Sequence, residues 1–171
     1  MGLLFRPDDN INLVGYSDAD WAGDRDDRRS TSGYMFQVGN AAISWRSKKQ
    51  SCVALSTAES EYMALSSAFQ EAIWLRRLVA NLMNNKEMLM QPTIIYEDNN
   101  SAIFMSKNNQ YQDRTKHIDI KFHFVREQVA AGTVELRYCK SKDMLADIFT
   151  KGLCGPQFKK LRSRMGLVEF K

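Results

Sequence analysis

The sequence predicts an α/β domain in which a mixed β-sheet is covered by helices. Three observations carry that expectation. Gly39-Asn40 separates two β-rich runs and marks a tight hairpin. The stretch 56–83 contains no Gly or Pro and repeats its apolar residues at helical spacing. Beyond it, short apolar runs alternate with amphipathic segments, the pattern of strand–helix–strand crossovers.

Taken in order, "INLVGYS" (11–17) reads as a first strand, and "GYMFQV" (33–38) and "AAISWR" (41–46) as the two arms of the hairpin. The long helix follows over 56–83, with Ser56 or Thr57 as its N-cap. Pro92 precedes "TIIYED" (93–98), a short β-branched run expected to be a buried strand. "NNSAIFMSK" (99–107) predicts a short helix leading into the polar loop "NNQYQDRTK" (108–116). "HIDIKFHFVREQVAA" (117–131) predicts a second amphipathic helix, ended by Gly132. "TVELRYC" (133–139) alternates as a strand, and "KDMLADIFTK" (142–151) is expected to form a third main helix. The division expected is a leader over 1–10, the domain over 11–153 and a basic tail over 154–171.

Bulk properties narrow the class. With 171 residues, 44% hydrophobic and 26% charged, the chain has the size and composition of one soluble domain. Such a length buries roughly 70% of its unfolded surface and needs no staple. Cys52, Cys139 and Cys154 are widely spaced and form no C-x-x-C pair, which argues against structural zinc and for a reducing, intracellular compartment. No signal peptide or membrane-length apolar run is present, so no membrane partner is expected and a cytoplasmic location is. Residues 151–171 hold six basic side chains and one acid, whereas the first 150 hold 18 basic and 19 acidic. The basic excess is C-terminal, and reads either as a solvated helix face or as a phosphate contact.

Carboxylates mark the functional reading. They stand at the end of the first strand (Asp18, Asp20), early in the long helix (Glu59, Glu61), at the end of the fourth strand (Glu97, Asp98), and at Asp143 and Asp147. If the first and fourth strands are parallel neighbours, their C-terminal ends coincide, where α/β sheets place their sites. Steps of three or four from Glu61 give Leu65, Ala68, Ala72, Leu75, Val79 and Leu82, an apolar stripe. Steps from Glu59 give Met63, Ser66, Gln70 and Arg77, a mostly polar face. Glu61 is therefore expected to face the sheet, where a bare charge is costly, and Glu59 to face solvent. Clustered carboxylates repel by roughly 4 kcal/mol per pair at 4 Å and a dielectric near 20, so cations are expected among them. Oxygen-only ligands select magnesium or manganese, and two such ions serve phosphodiester displacement. Asp18 reads as a ligand, Asp20 as a turn residue, and Asp24, Asp26 and Asp27 as a solvated loop.

The ordered set "GYSDADWAGD…RRSTSGY", "SKKQSCVALSTAESEYMAL", "EDNNSAI", "RTKHIDIKFHFVRE" and "ADIFTK" resembles the ribonuclease H domain of copia-type (LTR) retrotransposon Pol polyproteins. The resemblance implies a ribonuclease H-like fold, a five-stranded mixed sheet flanked by helices. It implies an Asp-Glu-Asp-Asp site binding two Mg2+ ions, with Mn2+ possible, that cuts the RNA strand of RNA–DNA hybrids. On this chain the four acids are Asp18, Glu61, Asp98 and Asp147; only the resemblance chooses Asp98 over Glu97 and Asp147 over Asp143.

Candidate contacts to nucleic acid are Ser56, Thr57, Asn99 and Asn100 for ribose 2′-hydroxyls and Arg46, Lys48 and Lys49 for phosphates, with helix capping as the competing role of the first four. The loop 139–145 lacks the histidine that cellular ribonucleases H often carry; His117 is the nearer of the two histidines and His123 is expected to be structural. A reverse transcriptase domain is expected upstream, in a polyprotein of which this chain is a fragment or relic, placed in a virus-like particle or the nucleus. The competing function is a transposon-derived nucleic-acid-binding module that no longer cleaves. A DDE integrase core shares the sheet but places its helix carboxylate last, not second.

Overall fold

Apolar alternation and one tight turn build the first half of the sheet. The computed structural model describes residues 1–6, 11–108 and 116–169, with 116–118 as backbone only. The polar loop at 109–115, with Arg114, and the side chain of His117 lie outside the described residues. After a short strand β1 (Gly2–Leu3), the chain runs through β2 (Leu13–Asp20), β3 (Thr31–Val38) and β4 (Ala41–Lys49) as an antiparallel meander. Gly39, at φ +62°, and Asn40 make the β3–β4 turn, using a left-handed conformation that glycine reaches without steric cost.

Helix α1 (Thr57–Leu82) then crosses to β5 (Thr93–Glu97), which lies parallel to β2 with Gly15 opposite Ile95. Helices α2 (Asn100–Lys107) and α3 (Lys116–Ala130) lead to β6 (Val134–Tyr138), parallel to β5. The spatial order is β4-β3-β2-β5-β6, a five-stranded mixed sheet. The parallel pairing of β2 and β5 brings Asp18 and Asp98 to the same end of the sheet.

Both faces of the sheet are covered. On one, Phe36 and Ile95 pack with Tyr62, Leu65 and Phe69 of α1 and Val125 of α3. On the other, Tyr16 and Met35 pack with Met144, Leu145, Ala146 and Leu161. The first turns of α1 are buried all round, from Glu59 to Ser66, and segment 50–55 lies against Glu59, Ser60 and Met63. Gln50 Nε2 donates to the Ser60 carbonyl at 2.9 Å, and Cys52 Sγ lies 3.9 Å from Met63 Sδ. At the other end of the stripe Leu82 is 74% exposed, so the buried face stops at Ala80.

Two expectations are corrected here. Residues 142–151 do not form an α-helix: they form 3-10 turns at Ser141–Asp143 and Leu145–Phe149, separated by extended Met144 (ψ 107°). That break lets Met144, Leu145 and Ala146 all enter the second core. The last helix is α4 (Gly155–Arg164), with Pro156 in its first turn, where a missing N–H costs no hydrogen bond. Leu161 of α4 is fully buried, and β7 (Leu167–Val168) pairs with β1. Asp20 is the last residue of β2, paired opposite Thr31, and the turn begins after it. Cys52, Cys139 and Cys154 are free thiols, and among the described residues no helix is long and apolar enough to cross a membrane.

Candidate active site

Asp18 shares its face of β2 with Val14 and Tyr16, which pack in the second core, and is fully buried. Its strand partner is Gly33. A Cβ at Gly33 would sit 2.6 Å from Thr150 Cγ2 and 3.0 Å from Phe149 Cβ. Glycine there lets the chain after Leu145–Phe149 close onto the strand beside Asp18. Thr150 Oγ1 donates to Asp18 Oδ2, and Lys151 Nζ donates to Asp18 Oδ1 at 2.9 Å and to Asp147 Oδ1 at 3.0 Å.

Glu61 stands in the second turn of α1 at 6% exposure. The helix start is fixed by Ser56 Oγ, which accepts the Glu59 N–H at 3.1 Å. Glu59 Oε2 accepts the Leu55 N–H at 2.6 Å, so Glu59 reaches back over the helix start and is 9% exposed, not solvent-facing. Asp98 follows β5 directly. Asn99 then caps α2, its Oδ1 accepting the N–H groups of Ser101 and Ala102 at 2.9 and 3.1 Å. Glu97 is fully buried and accepts the Asn99 N–H at 3.1 Å.

One oxygen each from Asp18, Glu61 and Asp98 lies within 4.8 Å of the others. Asp147 is joined to this group through the shared Lys151. Burial, reinforced by the charges of Glu97, Asp18 and Asp98, raises the pKa of Glu61 well above the carboxylate range. Burial does the same to Glu97. Burial and the Asp18 charge push Asp147 up to about 6, against the opposing pull of Lys151. For Lys151 burial disfavours the ammonium, but Asp18 and Asp147 outweigh it and hold the group charged.

These features fit a cation. Three charges at such spacing repel by about 3 kcal/mol per pair at a dielectric near 20. Among the described residues Glu61 Oε2 has no hydrogen-bond partner although it is buried, an arrangement that is costly unless something binds the oxygen. An all-carboxylate donor set suits a hard divalent ion. Asp143 stays outside the group, in exposed ion pairs with Lys160 and Arg164.

Of the candidate contact residues, Ser56 and Thr57 stand at the start of the helix carrying Glu61, and Asn99 and Asn100 directly follow Asp98. Ser56 and Asn99 serve as caps, while Thr57 and Asn100 are exposed. Arg46 and Lys48 are exposed on β4; Lys49 is paired with Asp24 and, at 2.9 Å, with Asp27. His123 is exposed, 3.3 Å from Asp119 across one helical turn. Lys151 and Thr150 escaped the sequence reading, although the i,i+4 spacing of Asp147 and Lys151 was visible in it.

No family model matches the chain. Over 96% of its length it is 42% identical to the retrovirus-related Pol polyprotein from transposon TNT 1-94 of Nicotiana tabacum. Over 97% it is 38% identical to that from transposon RE1 of Arabidopsis thaliana. It spans 12% and 11% of these relatives' lengths. Among solved structures, LC11-RNase H1 in complex with an RNA/DNA hybrid matches with a TM-score of 0.55 at 11% identity, covering 81% of this chain and 94% of that one. Over nearly all of its length the chain is thus similar to a segment of the retrovirus-related Pol polyproteins of plant transposons, and it has the ribonuclease H-like fold.

Proposed function

We propose that the domain is a metal-dependent endonuclease that hydrolyses the RNA strand of RNA–DNA hybrids during reverse transcription of a retrotransposon. The observation that carries this reading is the convergence of Asp18, Glu61 and Asp98 from three separate elements, with oxygens within 4.8 Å of one another. Asp147 lies one ammonium away from Asp18. Asp18 is thus common to two halves of the site: Glu61 and Asp98 would complete one, Asp147 the other. A pair of Mg2+ ions, or Mn2+ in their place, would supply an activated water and stabilise the leaving oxygen of an in-line displacement.

The remaining work belongs to the chain. The buried walls around Asp18 and Glu61 exclude water and strengthen every charge interaction inside. Thr57 and Asn100, exposed beside the carboxylates, are the hydrogen-bonding groups best free to meet ribose 2′-hydroxyls, with Ser56 and Asn99 supporting them as caps. Arg46 and Lys48 are available to phosphates; Lys49 would first have to leave Asp24 and Asp27. The relatives are roughly eight times longer, and the natural partner proposed is a reverse transcriptase domain of the same polyprotein, in the cytoplasm.

Hybrids labelled on the RNA or the DNA strand, incubated with the domain and magnesium, test this reading. RNA fragments ending in a 3′-hydroxyl, from hybrid alone, are the expected result. Tight binding of an uncut hybrid would instead favour a binding module that no longer cleaves.

A further inference from the structure

Lys151 reaches into the carboxylate cluster from the end of the Leu145–Phe149 turn. Its Nζ lies 2.9 Å from Asp18 Oδ1 and 3.0 Å from Asp147 Oδ1, so a single ammonium bridges two carboxylates. Asp18 is fully buried and the Asp147 side chain 9% exposed, whereas the lysine stem runs out to solvent. Both Asp18 oxygens are engaged, Oδ2 by the Thr150 hydroxyl and Oδ1 by Lys151. The other half of the cluster is different. Glu61 Oε2 is buried with no hydrogen-bond partner among the described residues. Among the described residues, an ammonium is therefore in direct contact with the carboxylates of one half of the site and forms no ion pair with Glu61 or Asp98 of the other.

A bridging ammonium does for two carboxylates what a metal ion does, with one charge instead of two and longer contacts. Withdrawing it uncovers a desolvated Asp18, which is costly unless another cation takes its place. We propose that Lys151 is an internal counter-cation for the Asp18–Asp147 half of the site. A divalent ion is held first by Glu61, Asp98 and Asp18, and a second enters between Asp18 and Asp147 only by displacing the ammonium. Lys151 is then a positioning residue that sets how many ions the free domain takes up. The inference rests on the reading of these four acids as a divalent-cation site.

The test is titration of the folded chain with Mn2+, following free Mn2+ by electron paramagnetic resonance, for wild type, Lys151→Gln, Lys151→Arg and Asp98→Asn, with circular dichroism as the check on folding. Wild type should take up one ion per chain, with a second bound at least about tenfold more weakly. Lys151→Gln should strengthen that second site by about tenfold, Lys151→Arg should keep the one-ion behaviour, and Asp98→Asn should weaken the first site. Two ions of matching affinity in wild type would overturn the proposal even if Lys151→Gln failed to fold. A second site left unchanged in folded Lys151→Gln would overturn it as well. No uptake by any form would refute the cation site itself, and this proposal with it.

Discussion

Replacing Asp98 with Asn should make the metal-free domain more stable and the magnesium-loaded domain less stable. In the metal-free protein an Asp98 oxygen lies within 4.8 Å of oxygens of Asp18 and Glu61. Each pair of full charges at that distance repels by about 3 kcal/mol at a dielectric near 20. Glu61 relieves one pair by keeping its proton, since burial and its acidic neighbours raise its pKa. The Asp18 charge is offset in part by Lys151, and Asp98 itself is half-buried, which lowers the repulsion further. About 1 kcal/mol remains to be gained, or roughly 2–4 °C in Tm for a domain of this size. Magnesium at about 100 times its Kd adds roughly 2.7 kcal/mol to the wild type. The Asn variant, short of one charged ligand, should keep little of that. Thermal unfolding followed by circular dichroism, in EDTA and across a magnesium series, reads both effects. The two stability curves should cross. An Asn variant that is less stable in EDTA and responds to magnesium like wild type would show the acids to be a structural network.

Three further outcomes follow from named contacts. Gly33→Ala should lower Tm and weaken the magnesium response together, because a Cβ 2.6 Å from Thr150 Cγ2 must push the Asp147 turn off β3; a full magnesium response in calorimetric titration would contradict this. Asp147 has a folded pKa of about 6, above its ordinary 3.8, so the stability it contributes is complete below about 3.8 and lost as pH rises through 6. In EDTA, the Tm of wild type relative to Asp147→Asn should therefore fall between about pH 4 and pH 7, and a flat difference would refute the cause assigned to the shift. Leu161→Ala should cost about 2–5 kcal/mol in denaturant unfolding, as befits a fully buried residue of the second core; a loss near zero would make α4 a detachable appendage.

How much of this was legible depends on whether the cause is local. The Gly39-Asn40 turn and α1 were readable because their signals, a positive φ and an unbroken apolar period, lie within the segments themselves. The same stripe chose Glu61 correctly as a buried acid. Its opposite face misled: Glu59 and Met63 are buried with segment 50–55 against them, which no helix period reveals. Asp18 lies inside β2 and Asp20 ends it although Asp is a poor strand former, because the antiparallel pairing with β3 continues out to Asp20 opposite Thr31. The helical pattern of 142–151 was overridden by contacts with a distant strand, at Gly33. Helix α4 did announce itself, through Gly155-Pro156, but its basic character read as a tail. The pairing of Lys151 with Asp147 was visible as a spacing, whereas the third member, Asp18, lies across the fold.

The central claim, that these four acids cut RNA paired with DNA, is tested most directly by one comparison. Wild type and Asp98→Asn are each given an end-labelled RNA–DNA hybrid with magnesium, beside matched RNA and DNA duplexes. Cleavage of the hybrid's RNA strand alone, reduced at least about a hundredfold in the variant, is the result expected of a transition state stabilised by ions that Asp98 helps to hold. Equal cleavage by both proteins, or cleavage of all three substrates alike, would contradict it.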